Sequence, residues 1–552
     1  MVSQIVTEAP WVNQYVAGVP HDLGDLTPIS MPELLAQAVA RFGDRPALSL
    51  GSEVWTYRDY AALVARCARG LQNLGVVPGD RLAVLMPNHV AGPIWFFGVL
   101  ATGAALVSIN PLYTASAAEG MIADSGARIV LTLDSPDTRD KLEPLLQKGL
   151  LDRIILASVN SDDMQQERAP GDVEGAIIRL SALLANDGDY KTIGIAPKET
   201  LAALQYTGGT TGAPKGAMLT HANLTTNTLQ IRSWFPSLED GKETILIPLP
   251  FSHITGITVC MAYAVRLAAE LIVVPRFVPD EMLATLRTKR PTFFGGVPTI
   301  FIALLQAGGS TPDDWKSVKA IICGGAPLPP DVMRTFQKLS GQRVRQIYGS
   351  TETSPGATIM PAKADEPETS VGLPLPGTRI EIRDASDPLI TMPAGKSGEI
   401  LISGPQILRG YWNRESETST YIVDGFFRTG DIGYIDERGY VFVIDRLKDM
   451  IIASGYNVYP ANVEKAVFGH PSVAEAIVIG VPDQYRGETI KVYVTLKSGQ
   501  SLTLEDLQAF LKDKLSPMEM PKQLEIREQL PKTAVGKLSR LDLKREIGTA
   551  RA

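Results

Sequence analysis

Apolar residues along this chain fall into short continuous runs, and amphipathic stretches separate one run from the next. Residues 81–86, 128–133 and 153–158 each open with an arginine and continue with mostly apolar side chains. Such runs are typical of strands in a parallel sheet, because both faces of that sheet are covered. Residues 31–42 instead have the spacing of an amphipathic helix. The alternation predicts an α/β fold in which helices flank parallel or mixed sheets. The same strand pattern recurs at residues 47–56 (as a strand pair), 201–206, 270–275, 292–296, 320–325 and 343–347.

One apolar stretch resembles a membrane span. Residues 90–109 carry no charged side chain and are about long enough to cross a bilayer. However, several glycines and one proline interrupt the run, and Asn110 ends it. A buried helix that leads into a buried strand explains this stretch better.

The pattern changes from about Gly377, where short β segments replace the alternation of helix and strand. Residues 439–455 indicate two strands on either side of a polar hinge. The last hundred residues have patterns for two helices and two or three strands, and Thr503 with Asp506 caps the second helix. Residues 159–190 are polar and indicate a variable surface excursion.

We therefore predict a large N-terminal domain with a β subdomain over residues 1–444, a hinge at residues 445–449, and a small mobile α+β C-terminal domain over residues 450–552.

Composition limits the classes of function. The chain of 552 residues has a net charge of −7, which argues against a nucleic-acid partner, because such a partner requires a basic face. The three cysteines have no CxxC spacing and the five histidines are scattered, so neither a disulfide frame nor a zinc site is indicated. The first residues lack a basic segment followed by an apolar run, so we expect no signal peptide and a cytoplasmic protein.

Residues 206–216 read Tyr-Thr-Gly-Gly-Thr-Thr-Gly-Ala-Pro-Lys-Gly and are the first candidate for chemistry. Glycines let backbone N–H groups converge on an anion, threonine hydroxyls donate beside them, and Lys215 supplies positive charge. The spacing is not that of a Walker A loop, because two residues separate Gly212 from Lys215. We predict a phosphate-binding loop between a strand and a helix that begins at His221. A flexible surface loop is the alternative.

Further segments carry groups suited to a nucleotide. After the strand at residues 343–347, Tyr348 can stack on a purine, Thr351 can donate to a phosphate, and Glu352 can hold a magnesium ion. Gly324, at another strand end, begins a Gly-Gly-Ala-Pro-Leu segment that offers a flat surface for a purine ring. Plain turns are the alternatives for both segments.

Three charged residues near the C-terminal end of the chain are also candidates. Asp431 follows a glycine and is placed to accept the hydroxyls of a ribose, and Arg446 lies just before the predicted hinge. Lys537 closes a loop that begins with Pro531 and is braced by glycine. Read alone, each of these residues also fits a surface ion pair or a solvated side chain.

Taken together in chain order, these motifs resemble those of the adenylate-forming enzymes, which include acyl-CoA synthetases, luciferases and adenylation domains. Segments at residues 11–15, 110–114 and 445–460 are most similar to bacterial long-chain fatty-acid–CoA ligases. Leu447 departs from those enzymes, which usually carry lysine there. The matching motifs cover nearly the whole chain and lie at residues 206–216, 248–253, 348–352, 398–405, 429–431, 445–449 and 531–537.

The resemblance implies a two-step reaction with ATP, Mg²⁺ and coenzyme A. A carboxylate attacks the α-phosphorus of ATP and releases pyrophosphate, and a thiol then displaces AMP. Lys537 is implied to bridge the carboxylate and the α-phosphate, Lys448 to act as the hinge, and Gly455 with Asn457 to approach the adenylate after rotation. Glu352 and Thr211 are the implied metal-site residues. The other implied nucleotide-site residues are Thr207, Gly208, Gly209, Thr210, Gly212, Lys215, Gly324, Gly325, Ala326, Gln346, Tyr348, Gly349, Thr351, Asp431 and Arg446.

The residues of the segments that line the implied acyl pocket are small or aliphatic, with no lysine or arginine that would pair with a second carboxylate. Ser252 stands where an amino-acid substrate would require an acidic partner. These features favour a medium- or long-chain fatty acid. The implied lining residues are His253, Gly256, Ile257, Gly296, Val297 and Gly325.

Several alternatives stay open. An aryl-acid ligase of the 4-coumarate type or a dicarboxylic-acid–CoA ligase shares every motif, and a fatty-acyl-AMP ligase would load a carrier protein instead of coenzyme A. A non-catalytic nucleotide-binding protein is a remote alternative, because Lys537, Glu352 and Asp431 are all retained. We expect no nucleic-acid partner and at most peripheral contact with the inner membrane, and we keep a homodimer open.

Overall fold

The computed structural model describes residues 9–24, 27–160, 175–207, 214–363, 365–453, 456–483, 487–532 and 538–548. Its strands are β1 (Pro46–Leu50), β2 (Glu53–Thr56), β3 (Arg81–Leu85), β4 (Ala105–Ile109), β5 (Ile129–Leu133), β6 (Arg153–Ala157), β7 (Ile177–Arg179), β8 (Leu201–Thr207), β9 (Lys215–Thr220), β10 (Thr244–Leu246), β11 (Glu270–Ile272), β12 (Phe293–Gly296), β13 (Ala320–Gly324), β14 (Val344–Tyr348), β15 (Thr358–Ile359), β16 (Leu373–Pro374), β17 (Arg379–Arg383), β18 (Gly398–Ser403), β19 (Gly410–Tyr411), β20 (Ile422–Val423), β21 (Phe426–Ile435), β22 (Val441–Arg446), β23 (Ile451–Ala453), β24 (Tyr456–Val458), β25 (Val473–Asp483), β26 (Gly487–Leu496) and β27 (Gln523–Ile526).

Its α-helices are α1 (Met31–Phe42), α2 (Tyr57–Asn73), α3 (Ala91–Ala101), α4 (Ala115–Ser125), α5 (Pro136–Gln147), α6 (Leu180–Leu183), α7 (His221–Trp234), α8 (Tyr263–Leu267), α9 (Pro279–Lys289), α10 (Pro298–Ala307), α11 (Pro330–Ser340), α12 (Glu415–Tyr421), α13 (Pro460–Phe468), α14 (Leu504–Leu511) and α15 (Arg540–Glu546). Short 3-10 helices span Pro10–Gln14, Pro312–Trp315, Thr351–Thr353 and Leu447–Asp449, and a π-helix spans Gly256–Ala262.

The chain divides into two compact units. The large unit comprises Met1–Gly209, Ala213–Arg379 and Ile402–Phe427, and the small unit comprises Thr210–Gly212, Ile380–Leu401 and Arg428–Ala552. The predicted hinge at residues 445–449 lies within the small unit. The domain boundary placed there stays a prediction.

An eight-stranded sheet of the large unit carries the predicted phosphate loop. Its order is β19-β9-β8-β4-β3-β5-β6-β7, and the strands from β8 to β7 are parallel. All five residues of β4 are buried, as expected for a central strand covered on both faces. β9 and β19 pair antiparallel at one end of the sheet.

A nine-stranded sheet carries the other predicted nucleotide segments of the large unit. Its order is β16-β15-β14-β13-β12-β10-β11-β1-β2, with parallel pairing from β14 to β1 and antiparallel pairing toward both ends. Leu246, Phe294 and Ile321 of this sheet pack with Trp315 and Phe336 in one core cluster. The predicted α/β class with mixed sheets is confirmed.

Two segments of the large unit agree with the predictions made from the sequence pattern. α1 has the predicted span, and its N-cap Ser30 accepts a hydrogen bond from the N–H of Glu33. The apolar stretch at residues 90–109 forms α3 and β4, with almost every side chain buried. Within the part of the chain that the structure describes, no helix is both long and apolar enough to cross a membrane.

The structure adds elements to two predictions about the large unit. The predicted helix begins at His221 as α7, but β9 lies between the loop and this helix and pairs with β8. Residues 159–190 are not wholly a surface excursion, since β7 extends the sheet and α6 follows it. Ile178, Leu180 and Leu183 are buried there. The prediction missed them because it was based on the overall polarity of the segment.

Helix α7 is polar in sequence yet buried, and its amides hold distant loops. The Asn223 side chain donates to the carbonyls of Pro405 and Ile407 at 2.8 and 2.9 Å. The Asn227 side chain donates to the carbonyl of Gly356 at 2.8 Å. Because buried backbone carbonyls need donors, these bonds fix the segments that lead into β19 and away from Glu352.

Two five-stranded sheets follow in the chain. β17, β18, β20, β21 and β22 form the sheet of the predicted β subdomain, and β23 to β27 form the sheet of the small unit, together with α13, α14 and α15. Among the described residues after residue 449 there are thus three helices and five strands, more than predicted. The short β23–β24 hairpin and the seven-residue α15 are too brief for a periodic signal. Thr503 is the N-cap of α14, as predicted.

A buried ion cluster fixes the segment predicted as the hinge within the small unit. Arg540 of α15 forms ion pairs with Asp445 at 2.8 Å, with Asp449 at 3.3 Å and with Glu464 at 2.5 Å. Asp445 is almost fully buried, with 2% of its side chain exposed. The N–H of Ala461 also donates to this carboxylate at 2.6 Å. Both ends of residues 445–449 are therefore attached to the last helix.

Candidate active site

The β8–β9 hairpin fixes both ends of the predicted phosphate loop. Thr207 and Lys215 face each other in the antiparallel register, and Tyr206 faces Gly216. The Tyr206 hydroxyl donates to Asp124 at 2.6 Å. Gly208, Gly209, Thr210, Thr211 and Gly212 lie outside the described residues, and their roles stay predictions.

Lys215 is enclosed by side chains from a distant part of the chain, Tyr411 of β19 and the helix α12. Its ammonium group forms an ion pair with Glu417, and it lies 4.6 Å from the ring centroid of Tyr421 and 5.5 Å from that of Tyr411. Aromatic faces attract a cation at such distances. Lys215, Tyr411, Glu417 and Tyr421 are called the Lys215 cluster below.

The pKa values of two members of the Lys215 cluster, Glu417 and Tyr411, are shifted by their surroundings. The Lys215 ammonium lowers the pKa of the Glu417 carboxyl, and Arg414 adds a second ion pair to that carboxylate at 3.1 Å. Burial, followed by the charge of Glu352, raises the pKa of the Tyr411 hydroxyl. Tyr411 is therefore neutral and donates its proton to a hydrogen bond.

Glu352 receives that hydrogen bond. The Tyr411 hydroxyl donates to Oε1 of Glu352 at 2.8 Å, and the N–H of Leu408 donates to the Glu352 carbonyl at 2.9 Å. Glu352 is 9% exposed and lies in the 3-10 turn Thr351–Thr353 that follows β14. The structure thus brings Lys215 and Glu352, predicted separately, to the face and the hydroxyl of one tyrosine.

A magnesium ion fits this arrangement. No group of three or more His, Cys, Asp or Glu able to hold a metal ion is found in the described ranges. Mg²⁺ typically binds proteins through one or two carboxylates and takes its remaining ligands from substrate phosphates and water. A single buried carboxylate, already oriented by a tyrosine, is sufficient for that mode.

The segments predicted to bind the purine also lie side by side. Gly324 ends β13 and faces Ile347 of the parallel β14, so Gly325 and Ala326 follow one strand end while Tyr348 closes the other. A Cβ at Gly324 would collide with the Ile347 side chain. At Gly349 it would collide with the Pro355 carbonyl. Both glycines are therefore required by packing, whatever they bind.

The side chain of Gln346 makes two hydrogen bonds within the protein that its predicted role in the AMP site does not require. Its Oε1 accepts from the N–H of Leu328 at 3.1 Å, and its Nε2 donates to the carbonyl of Ser370 at 3.1 Å. The side chain is buried and fixes the Gly324–Leu328 turn beside β14. A direct contact with AMP stays a prediction.

The segment before the predicted acyl pocket is held by three buried amide and hydroxyl side chains. Asn88 donates to the Leu249 carbonyl at 2.8 Å and accepts from the N–H of Phe251 at 2.7 Å. Ser108 and Gln205 both donate to the Ser252 carbonyl, at 3.1 and 3.0 Å. This short segment is thereby fixed against the ends of β3, β4 and β8.

The predicted pocket residues differ in exposure. His253 is exposed, and its Nδ1 lies 3.1 Å from the Thr255 hydroxyl. Gly256 begins the π-helix, where a Cβ would collide with the Pro250 carbonyl, and Ile257 is fully buried. π-Helical turns often occur at functional sites.

Strand register also brings two of the predicted pocket segments together. Gly296 at the end of β12 faces Cys323 of β13, one residue before Gly324. Val297, the N-cap of α10, is partly buried against the core.

The small unit brings together Asp431 and Arg446. These residues face each other in the β21–β22 register, and Arg446 Nε lies 2.7 Å from Asp431 Oδ1. Burial, with the neighbouring charge of Arg446, lowers the pKa of Lys448 to about 8. Asn457 lies on β24 opposite Ile452. Lys537 and Gly455 lie outside the described residues.

Four residues of this site were missed from the sequence: Arg414, Glu417, Tyr411 and Tyr421. The available signal was a Gly-Tyr-Trp segment followed by a short helix with Arg414 and Glu417 at i,i+3 spacing. Nothing local connects that helix to Lys215.

Two family models and several relatives match this chain over most of its length. The model of the AMP-binding enzyme family matches residues 35–412, and that of the AMP-binding enzyme C-terminal domain matches residues 462–537. A long-chain-fatty-acid–CoA ligase of Bacillus subtilis (strain 168) is 37% identical over 554 residues, covering 98% of each chain. One of Escherichia coli O6:H1 is 36% identical over 558 residues, covering 97% of this chain and 98% of the relative.

Solved structures give the same result for the fold. The crystal structure of ATP bound MatB from Rhodopseudomonas palustris superposes with a TM-score of 0.84 at 30% identity. The match covers 94% of this chain and 99% of that one.

Proposed function

The chain belongs to the AMP-binding enzyme family, and from this premise we propose that it is an ATP-dependent fatty-acid–CoA ligase. In the first step a carboxylate oxygen of the fatty acid bonds to the α-phosphorus of ATP, and pyrophosphate leaves. In the second step the sulfur of coenzyme A bonds to the acyl carbon, and AMP leaves with the electron pair of the broken C–O bond. The products are acyl-CoA, AMP and pyrophosphate.

The first step brings two anions together, so positive charge is the main catalytic requirement. Lys215, with the loop from Thr207 to Gly212, binds the β- and γ-phosphates. Thr351 donates to the α-phosphate. Glu352 would hold Mg²⁺, which when bound would neutralise phosphate charge. Support for this assignment comes from the joint contact of Tyr411 with Lys215 and Glu352, which places a cation and a carboxylate one side chain apart.

The small unit supplies the remaining groups in this proposal. Asp431 and Arg446 hold the ribose, and Lys537 bridges the attacking carboxylate and the α-phosphate. For the second step the C-terminal domain, over residues 450–552, rotates about Lys448. Gly455 and Asn457 then approach the adenylate, and the absent side chain at Gly455 leaves room for the pantetheine arm.

A fatty acid is the acyl substrate that the predicted pocket favours. Its segments carry no lysine or arginine that would pair with a second carboxylate, and the predicted lining residues Ile257 and Val297 are aliphatic. Each buried methylene of a chain contributes about 0.8 kcal/mol to binding. The relatives named as long-chain-fatty-acid–CoA ligases agree with this preference.

The observation that carries the proposal is the Lys215 cluster, in which Tyr411 also contacts Glu352. The similarity to known ligases over the full length of the chain supports it. The test is pyrophosphate release from MgATP with a panel of acids, each with and without coenzyme A. We expect kcat/KM to rise with chain length from acetate to dodecanoate, and acyl-CoA to form only when coenzyme A is present. Higher kcat/KM for 4-coumarate, for acetate or for a dicarboxylate would overturn the fatty-acid assignment.

Peripheral contact with the inner membrane and a homodimer are further proposals. The motivation for the first is the low solubility of long-chain substrates in water. Sedimentation with phospholipid vesicles before and after a carbonate wash tests the contact, and light scattering of the eluted protein tests the dimer. Sedimentation that persists after the wash, or a monomer mass at all concentrations, would contradict the respective proposal.

A further inference from the structure

Lys215 has a partner that the reaction does not account for. Its ion pair with Glu417 withdraws both charged side chains largely from water, since 21% of Lys215 and 31% of Glu417 is exposed. An ammonium group held by a carboxylate and two aromatic faces is already satisfied before any phosphate binds.

We propose that Glu417 is the resting partner of Lys215, which the β- and γ-phosphates of ATP must displace, and that Glu417 thereby sets the affinity of the site for polyphosphate. This proposal rests on the proposed function, in which Lys215 binds those phosphates. The carboxylate competes with them for one ammonium group and also repels them, because all of these groups are anionic.

Arg414 gives Glu417 a second cationic partner, so Glu417 can release Lys215 to a phosphate. Arg414 lies one helical turn before Glu417, and its Nη1 contacts Glu417 Oε1 at 3.1 Å. When phosphate takes Lys215, Glu417 keeps this second cation, so no partly buried charge is left without a partner. When pyrophosphate leaves, Glu417 returns to Lys215 and competes against rebinding of the product.

The cluster is also continuous with the proposed metal site. Tyr411 contacts Lys215 through its ring and Glu352 through its hydroxyl. The exchange at Lys215 would therefore occur beside the carboxylate that is proposed to hold the metal.

Glu417→Gln tests the proposal, because the amide keeps the size of the side chain and removes its charge. We expect the Kd for MgATP, measured by titration calorimetry without any acid, to fall about fivefold, the equivalent of about 1 kcal/mol for a partly exposed ion pair. The inhibition constant of pyrophosphate should fall equally. Conversion of supplied acyl-AMP and coenzyme A to thioester should not change, because no polyphosphate takes part in it.

Two controls separate this role from a general effect of charge. Glu415 lies on the same helix and is exposed, so Glu415→Gln should leave the Kd for MgATP unchanged. In a Lys215→Met background, Glu417→Gln should lose its effect, since the lysine that it restrains is gone. A thermal melt of each variant checks that the fold is retained.

An unchanged or higher Kd for MgATP in Glu417→Gln would overturn the proposal. So would an equal shift in Glu415→Gln, or a shift that persists in the Lys215→Met background. The calorimetric titration needs no acyl substrate. If wild-type protein bound MgATP but released no pyrophosphate with any acid, the proposed function would fail while the role of Glu417 was still measured.

Discussion

Replacing Tyr411 with phenylalanine tests whether the hydroxyl at the centre of the site orients Glu352. The change removes one oxygen atom and keeps the ring that faces Lys215. The lost hydrogen bond is 2.8 Å long and joins two buried side chains, one of them a carboxylate. Hydrogen bonds to charged groups contribute about 1.5–3 kcal/mol.

If that bond is kept in the transition state, its loss slows adenylation about 10- to 150-fold. We expect the loss in single-turnover release of pyrophosphate, with a higher Mg²⁺ concentration needed for half-maximal rate. Thioester formation from supplied acyl-AMP and coenzyme A should be unchanged, because that step needs no metal-bound polyphosphate.

Tyr421→Phe is the matched control. It removes the same hydroxyl from the neighbouring ring of the Lys215 cluster, and between these two described residues the structure shows no hydrogen bond from Tyr421 to Glu352. Its Mg²⁺ titration should overlay that of the wild type. The reasoning would be refuted if folded Tyr411→Phe kept the wild-type rate and Mg²⁺ dependence.

Three further predictions concern stability and the order of steps. Burial lowers the pKa of His221 to about 3 from 6.5, so between those values the unfolded chain binds a proton that the folded chain does not, and stability falls as the pH falls. From pH 6.5 to pH 5 this costs about 2 kcal/mol, and urea denaturation of His221→Asn should lack that part of the slope; an identical slope would contradict the assignment. Arg540→Met leaves Asp445 and Glu464 close together without their cation and should destabilise the small unit by about 3–5 kcal/mol in denaturant titration, whereas a loss below about 1 kcal/mol would show that the cluster contributes little. Lys537→Ala should slow adenylation about 10²- to 10³-fold yet convert supplied acyl-AMP and coenzyme A to thioester, and equal loss of both steps would rule out the alternation of domains.

Elements set by local periodicity could be predicted from the sequence, and elements set by pairing could not. The amphipathic spacing of α1 and the continuous apolar run at residues 90–109 can both be recognised from neighbouring residues along the chain. β9 was missed because Lys-Gly-Ala-Met-Leu-Thr alternates poorly, and its strand conformation comes from antiparallel pairing with β8.

The same division applies to the candidate site. Thr351, Glu352 and Lys215 stand in short motifs whose chemistry can be read directly from the residues. Glu417 and Tyr411 have no motif of that kind, because their importance comes from what they contact across the fold. The pairing of β19 with β9 brings that helix to the lysine.

The formation of an acyl adenylate is the central claim, and transfer of an oxygen isotope tests it most directly. The protein is incubated with MgATP, coenzyme A and dodecanoate labelled with ¹⁸O in its carboxylate, and the products are examined by mass spectrometry. Because a carboxylate oxygen bonds to the α-phosphorus and stays there when the thiol attacks the acyl carbon, AMP should carry one ¹⁸O atom and pyrophosphate none. Unlabelled AMP, or label in inorganic phosphate together with ADP, would contradict the account.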